Sequence, residues 1–123
     1  MFKLGVMVSG GGTNLQAIID KIKSGYLEGC SIATVVSSRK DAYALERAKQ
    51  NDIPAVCISK KNYASEEDYD RALIEHFGRY DVDLVVLAGF LSMLGKNFID
   101  TYRNRIINVH PSLIPAFCGK GHY

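Results

Sequence analysis

The chain has 123 residues, which is enough for one domain with a modest core and too few for two. Its residues are 47% apolar and 23% charged, a balance typical of folded globular proteins and not of disordered ones. A net charge of only +2, without a run of Lys or Arg, argues against nucleic acid as a partner and leaves a small anionic ligand open. The apolar stretch at 4–8 is too short for a signal peptide or a membrane span, so we expect a cytoplasmic protein without membrane contact.

The cysteines point to a reducing environment and to no metal site. Cys30, Cys57 and Cys118 are far apart, and they form neither a C-x-x-C pair nor a Cys/His cluster with zinc spacing. We therefore expect reduced thiols and no bound metal.

Short apolar runs alternate with helical patterns along the chain. The runs predict five strands, at 4–8, 32–36, 55–58, 84–88 and 106–110. Apolar periodicity and capping residues predict four helices between them, at 15–22, 42–50, 69–80 and 96–102. This alternation predicts an α/β fold, a doubly wound, mostly parallel sheet with Rossmann-like topology and right-handed crossovers.

Particular residues are expected to begin or end these helices. Asp41 is predicted to cap the second helix, and Ser65, with acidic residues after it, the third. Gly25 is predicted to end the first helix. The aromatic residues on the stripe of the third helix are expected in the core, whereas His76 is expected at the surface.

A glycine-rich turn, 9–14, connects the first strand to its helix and reads Ser-Gly-Gly-Gly-Thr-Asn. Glycines let the backbone approach a ligand, and the free N–H groups of the following helix make an anion site. A dinucleotide fingerprint would need glycine where Leu15 stands and an acidic residue after the second strand, and no Walker A lysine follows. A single phosphate group, such as a phosphomonoester, remains. The alternative is a tight turn that needs glycine for its geometry alone.

Asn108 and His110 are the strongest candidates for catalysis. They lie two residues apart at the end of the last predicted strand, so their side chains point the same way, and Pro111 ends the strand. Open α/β sheets place their chemistry there, and a carboxamide beside an imidazole suits a reaction in which an oxygen gains negative charge. The alternative is a structural histidine beside a turn asparagine. Gly89, after the fourth strand, is expected to line the same crevice as the glycine turn.

Three segments, 9–17, 86–91 and 108–115, together resemble the phosphoribosylglycinamide formyltransferase family, the folate-dependent enzymes of purine synthesis. The resemblance extends over the entire chain. It implies the N-terminal part of the formyltransferase fold and the transfer of a formyl group from 10-formyltetrahydrofolate to the amine of glycinamide ribonucleotide. That chemistry requires no metal.

The resemblance also implies a role for each matching residue. Residues at the ribotide site would be Gly11, Gly12, Thr13, Asn14, Gly89, Leu91 and Pro111. Residues near the folate would be Ser92, Met93 and Leu94. Asn108 and His110 would be two members of the catalytic triad that stabilise the oxyanion, and His110 would pass a proton towards the leaving folate nitrogen.

Two departures from the family pattern matter. The third catalytic residue of the family, an aspartate, would lie beyond residue 123, as would much of the folate pocket. We therefore expect residues 1–123 to form a single N-terminal domain, truncated before the folate-binding part, a monomer or weak homodimer with little transferase activity alone. In addition, Ser92 stands where some relatives carry arginine, which puts a pterin contact from that position in doubt.

Two other functions stay open. One is a formyltetrahydrofolate hydrolase or another folate-dependent formyltransferase with the same Asn/His pair; a hydrolase would have no ribotide phosphate to bind. The other is a non-catalytic nucleotide-binding module, which would tolerate a change of His110. The missing third glycine and the missing ribose-binding acid weigh against that module.

Overall fold

The computed structural model of the chain describes residues 1–25, 28–90 and 92–109. These residues form a five-stranded sheet with the order β3-β2-β1-β4-β5, and every strand pairing in it is parallel. The strands are β1 Phe2–Val8, β2 Cys30–Ser37, β3 Ala55–Cys57, β4 Leu84–Leu87 and β5 Ile106–Asn108. The helices are α1 Thr13–Lys23, α2 Tyr43–Gln50, α3 Glu66–Arg79 and α4 Lys96–Thr101, with a 3₁₀ turn at Lys60–Asn62. The predicted parallel, doubly wound α/β fold is confirmed.

Two hydrophobic clusters cover the two faces of the sheet, because successive side chains of each strand alternate between the faces. Helices α1 and α2 pack on one face, where Leu15 and Ala48 contact residues such as Val6. Helices α3 and α4 pack on the other face. There Phe77 and Phe98 lie with the alternate strand residues, such as Met7. Both faces are therefore buried, which explains the near-continuous apolar sequence of β1 and β4.

Helix α3 packs closely against the central strand β1 at Gly5. A Cβ atom built on Gly5 in β1 would lie 2.7 Å from the Phe77 ring, so only glycine leaves room for this contact. The neighbouring Tyr69 is also fully buried, and burial, with a smaller contribution from Asp70, raises the pKa of its hydroxyl to about 12. The α3 face is therefore tightly packed.

Asp70 joins α3 to α4. Its buried carboxylate Oδ2 accepts a hydrogen bond of 3.3 Å from the backbone N–H of Phe98 in the first turn of α4. The N-cap of α4 is Gly95, which has no side chain to do this. An acid from a neighbouring helix thus caps α4 and fixes its position.

The structure confirms two of the predicted helix ends and corrects one. Ser65 is the N-cap of α3, and Gly25 follows α1 with a left-handed φ of 82°. The prediction for Asp41 is wrong, because Ala42 is the N-cap of α2 and the exposed Asp41 carboxylate pairs instead with Arg39 at 3.3 Å.

The prediction that His76 lies at the surface is also wrong. The residue is only 6% exposed, and its Nε2 lies 2.8 Å from the Thr34 hydroxyl. That hydroxyl donates its one proton to the Pro54 carbonyl at 3.1 Å, so the ring nitrogen must be the donor to it. Burial lowers the pKa of His76, and the nearby Arg79 lowers it further.

Within the residues that the structure describes, no helix is long and apolar enough to cross a bilayer. In the same part of the chain Cys30 is buried and Cys57 half-buried, while Cys118 lies outside it, and the expectation of reduced thiols stays a prediction. The predicted strand at 106–110 forms as far as Asn108, and its last residue also lies outside the described range.

Candidate functional site

The candidate site lies where the connections from the central strands diverge. After β1 the chain passes to β2 on one side, whereas β4 and β5 lie on the other side of β1. Ligands of open α/β sheets bind at such a switch point, beyond the carboxyl ends of the strands. Met7 pairs with Leu87, and Leu87 with Asn108, so the last residues of β4 and β5 lie in one row with Met7, the second-last residue of β1.

The glycine turn after β1 has one position that only glycine can occupy. Gly12 has a left-handed φ of 81°, and a Cβ atom on it would lie 2.7 Å from the Ala44 Cβ and 2.8 Å from its Cα. Nothing lies within 4 Å of a Cβ built on Gly10 or Gly11, which are exposed. The turn is therefore tightly packed at Gly12 and open to solvent at the two glycines before it.

The first turn of α1 has backbone N–H groups that no capping side chain accepts. The N-cap is Gly12, which provides no side-chain hydrogen bond, and no acidic residue lies in the first turn. The first N–H groups of a helix have no intrahelical acceptor, and the helix dipole adds partial positive charge there. Thr13 is exposed and Asn14 half-buried at this terminus. The arrangement suits an oxyanion such as a phosphate.

Helix α2 braces the glycine turn from behind, a feature that the sequence analysis missed. The Ala44 N–H donates to the Gly10 carbonyl at 3.3 Å, and Arg47 Nε donates to the Gly11 carbonyl at 2.7 Å. A second nitrogen of Arg47 donates to Gln16 Oε1 at 3.3 Å, and the guanidinium lies 5.0 Å from the centre of the Tyr43 ring. The glycine turn and α1 are thus both attached to α2 through one arginine.

The structure brings the turn after β4 next to the glycine turn. Gly89 has a left-handed φ of 72°, and a Cβ atom built on it would lie 3.7 Å from Asn14 Nδ2. The carboxamide of Asn14 therefore bridges the gap between the two loops. Leu91, assigned to the same site from the sequence, lies outside the described residues.

The segment 92–94 after this turn lies on the α3 and α4 side of the sheet. Leu94 packs against the cluster under these helices, whereas Met93 is 77% exposed. The Met93 carbonyl accepts a 3.3 Å hydrogen bond from Lys60 Nζ, which ties the segment to the 3₁₀ turn. Ser92 is half-buried. An exposed methionine held by its backbone gives this edge an apolar surface beside the switch point.

Asn108 is exposed at the end of β5, one strand away from the Gly89 turn. The Val109 N–H donates to the Leu87 carbonyl at 3.0 Å, which continues the parallel ladder to the very end of β4. Asn108 is two residues after Ile106 in the strand, so its side chain is on the same face of the sheet, the one covered by α3 and α4. His110, its predicted catalytic partner, and Pro111, assigned to the ribotide site, lie outside the described residues.

A basic cavity of about 350 Å³ adjoins the glycine turn on the β2 and β3 side. Ser38 lines it and donates a 2.8 Å hydrogen bond to Ser9 at the end of β1. Its charged lining residues are Arg39, Lys40, Asp41 and Lys61. Among the described residues no cluster of His, Cys, Asp or Glu is arranged to bind a metal ion. The charge at this edge of the sheet thus favours anions.

These features define a class: an α/β protein with an uncapped helix N-terminus, which suits an anion, at the switch point of a parallel sheet. The particular family follows from comparison with known proteins. The formyl transferase family model matches residues 2–123, and the chain belongs to this family.

Among curated relatives, the phosphoribosylglycinamide formyltransferase of Haemophilus influenzae is 42% identical over 123 residues, which are 100% of this chain and 58% of that protein. The Escherichia coli protein of the same name is 43% identical over 93% of this chain and 53% of its own length. The chain therefore spans little more than half the length of these relatives.

Solved structures give the same result. Glycinamide ribonucleotide transformylase 1 from Geobacillus kaustophilus superposes with a TM-score of 0.85 at 38% identity, covering 98% of this chain and 63% of that one. The phosphoribosylglycinamide formyltransferase of Coxiella burnetii, in complex with CHES, gives a TM-score of 0.83 at 44% identity, covering 89% of this chain and 51% of that one. The fold described above is thus the formyltransferase fold.

Proposed function

We propose that this chain carries the ribotide-binding half of a phosphoribosylglycinamide formyltransferase. The reaction is the transfer of a formyl group from 10-formyltetrahydrofolate to the amine of glycinamide ribonucleotide in de novo purine biosynthesis. The observation that carries the proposal is the uncapped, acid-free start of α1 at the switch point of the sheet. The names of the relatives above support the choice of substrate.

The phosphate of the ribotide binds at the glycine turn. Gly11, Gly12 and Thr13 present backbone N–H groups there, and the α1 dipole adds partial positive charge. Asn14, which lies against Gly89, contacts the ribotide next to the phosphate. Leu91 and Pro111 complete this part of the site in the proposal. A dephosphorylated ligand lacks the group that these donors would bind.

The amine end of the ribotide reaches the end of β5. Adjacent strands lie about 4.8 Å apart, so Asn108 is about 10 Å from the end of β1 across β4, a span that a phosphoribosyl group with an amide arm can bridge.

At that end of the site the amine nitrogen attacks the formyl carbon, and the carbonyl oxygen becomes an oxyanion. Asn108 donates to it through its carboxamide, and protonated His110 stabilises it as the second donor. The attacking nitrogen releases its extra proton to solvent water. The oxyanion then re-forms the carbonyl as the bond from the formyl carbon to the folate nitrogen breaks, and His110 passes a proton to that leaving nitrogen.

The reduced folate is a co-substrate, and the proposed reaction needs no metal. In the proposal the folate lies near Ser92, Met93 and Leu94, where the exposed Met93 offers apolar surface. We further propose that the protein acts in the cytoplasm as a monomer or weak homodimer.

Calorimetry with two matched ligands tests the phosphate site. Glycinamide ribonucleotide is expected to bind, and the same compound without its phosphate is expected to bind about 100-fold more weakly, because several charge-assisted hydrogen bonds are lost. Equal affinities would contradict the proposal and favour the hydrolase, which has no phosphate to bind.

Steady-state kinetics of formyl transfer, in the full polypeptide as the cell makes it, test the oxyanion role. Asn108→Ala is expected to lower kcat about 10²–10³-fold, because it removes one preorganised donor, while the KM for the ribotide changes little. Asn97→Ala is the control, because Asn97 is an exposed asparagine on α4 that is not at a strand end. An unchanged kcat in Asn108→Ala would refute the role.

A further inference from the structure

We propose that Arg47 is a positioning residue of the phosphate site, which turns the backbone N–H of Gly12 towards the ligand by binding the Gly11 carbonyl from the opposite side. This inference rests on the proposed function, because it assigns the origin of the donor geometry at the same site. Arg47 itself lies on α2, behind the glycine turn.

The peptide unit between Gly11 and Gly12 determines where the Gly12 N–H points. The described residues contain no cis peptide bond, and in a trans peptide the C=O and N–H bonds point in opposite directions. Arg47 Nε holds the Gly11 carbonyl at 2.7 Å on the α2 side. The Gly12 N–H must therefore point away from α2.

The preceding peptide unit is held in the same way. The Ala44 N–H donates to the Gly10 carbonyl at 3.3 Å, again from α2, so the Gly11 N–H also points away from that helix. Two successive N–H groups thus face one side, continuous with the free donors at the start of α1. Two carbonyl oxygens, which would repel a phosphate, face the other.

The glycines cannot maintain this orientation by themselves. Gly10 and Gly11 lack side chains, and a Cβ built on either would contact nothing within 4 Å, so side-chain packing does not restrain their peptide planes. Arg47 is itself well fixed, because its guanidinium lies 5.0 Å from the Tyr43 ring centre and also donates to Gln16. It therefore transfers the rigidity of α2 to the turn.

Side-chain length separates this role from simple charge. Glutamine at position 47 carries its amide nitrogen the same number of bonds from Cα as arginine carries Nε, so Arg47→Gln keeps the donor and loses the charge. Methionine places a methyl group there, so Arg47→Met loses both at the same length. Arg47→Lys keeps the charge and places a methylene where Nε donates.

The test is calorimetric titration of the full-length protein and these variants with glycinamide ribonucleotide and with inorganic phosphate. Arg47→Gln is expected to bind within about threefold of the native protein, whereas Arg47→Met binds about tenfold more weakly, the effect of one lost hydrogen bond. Lys49→Met, an exposed charge on the same helix, is the control and is expected to bind like the native protein. Thermal unfolding verifies that each variant is folded.

Equal weakening in Arg47→Gln and Arg47→Met would overturn the inference in favour of a purely electrostatic role, and native affinity in both would overturn it as well. If Arg47→Met does not fold, Arg47→Gln is compared with Arg47→Lys: tighter binding by the glutamine variant supports positioning, and tighter binding by the lysine variant refutes it. A native protein that binds neither ligand refutes the proposed function itself, a result distinguishable from all of these.

Discussion

Two helices of this protein begin in opposite ways. Helix α3 begins at Ser65, whose hydroxyl accepts a 3.1 Å hydrogen bond from the Asp68 N–H, and three acidic residues fill its first turn. Helix α1 begins at Gly12, with no side-chain cap and no acidic residue in its first turn. The protein thus satisfies the donors and dipole of α3 with its own acids, and leaves those of α1 available.

The difference follows from where each helix begins. Helix α3 starts after a surface connection, where a self-satisfied N-terminus is the most stable solution. Helix α1 starts directly after the central strand β1, at the switch point where an open α/β sheet binds its ligand. An acid there would stabilise the helix and repel a phosphate. The α1 terminus therefore lacks the local stabilisation that α3 has, and the proposed phosphate site requires those free donors.

The largest expected effect comes from closing the space at the start of α1. Gly12→Ala is expected to lower the free energy of unfolding by about 3 kcal/mol, because the left-handed φ strains an L-residue and the new methyl group would overlap Ala44. Urea denaturation measures this. Gly10→Ala is the control, since a methyl group there meets nothing, and equal stability losses in the two variants would contradict the packing argument.

An acid at the start of α1 should make it resemble α3. Thr13→Asp is expected to weaken ribotide binding about 100-fold through like-charge repulsion while leaving the helix as stable or more stable. Ser24→Asp adds the same charge at the other end of α1 and should bind normally. Unchanged ribotide affinity in Thr13→Asp, measured by calorimetry, would show that the phosphate does not bind here.

The converse change at α3 should affect stability alone. Ser65→Ala is expected to lower the free energy of unfolding by about 1 kcal/mol, because the Asp68 N–H loses its cap. Ribotide affinity is expected to stay the same. A loss of ribotide affinity without a loss of stability would contradict the assignment of the α3 start to stability and the α1 start to binding.

The smallest expected effect is a pH dependence of stability that comes from His76 in α3. The pKa of His76 is lowered in the folded protein by burial and by Arg79, so the unfolded chain binds a proton more readily. Stability should be complete above the ordinary histidine pKa of about 6.5 and fall as the pH drops from there through the lowered value. His76→Gln, which keeps a donor near Thr34, should flatten this slope in urea titrations at a series of pH values. A stability that rises on acidification would contradict the assignment.

Much of the fold could be predicted from the sequence because it depends on short patterns. The alternation of apolar runs and helical stripes gave the parallel sheet, and the glycine turn predicted an open α1 terminus. The Ser65 cap was predictable because its partner, Asp68, is three residues away. Asp41 is likewise a residue type that often caps a helix, just before a helical pattern. Its carboxylate nevertheless pairs with Arg39, and α2 begins after Ala42.

The remaining features depend on contacts between distant segments. The bond from Arg47 to the Gly11 carbonyl joins residues 36 positions apart, and the bond between His76 and Thr34 joins residues 42 apart. Periodicity identifies which face of a helix is buried and does not show which polar group of another element lies opposite. Arg47 and His76 each resemble ordinary surface residues in sequence, so their roles required the structure.

Amide chemical shifts compare the two helix starts most directly. In one ¹⁵N-labelled sample titrated with glycinamide ribonucleotide, the amide signals of Gly12, Thr13 and Asn14 should shift saturably, and those of Glu66 and Glu67 should stay in place. If the α1 amides stay in place while the ribotide binds, or if both helix starts shift alike, the open terminus of α1 is not the phosphate site.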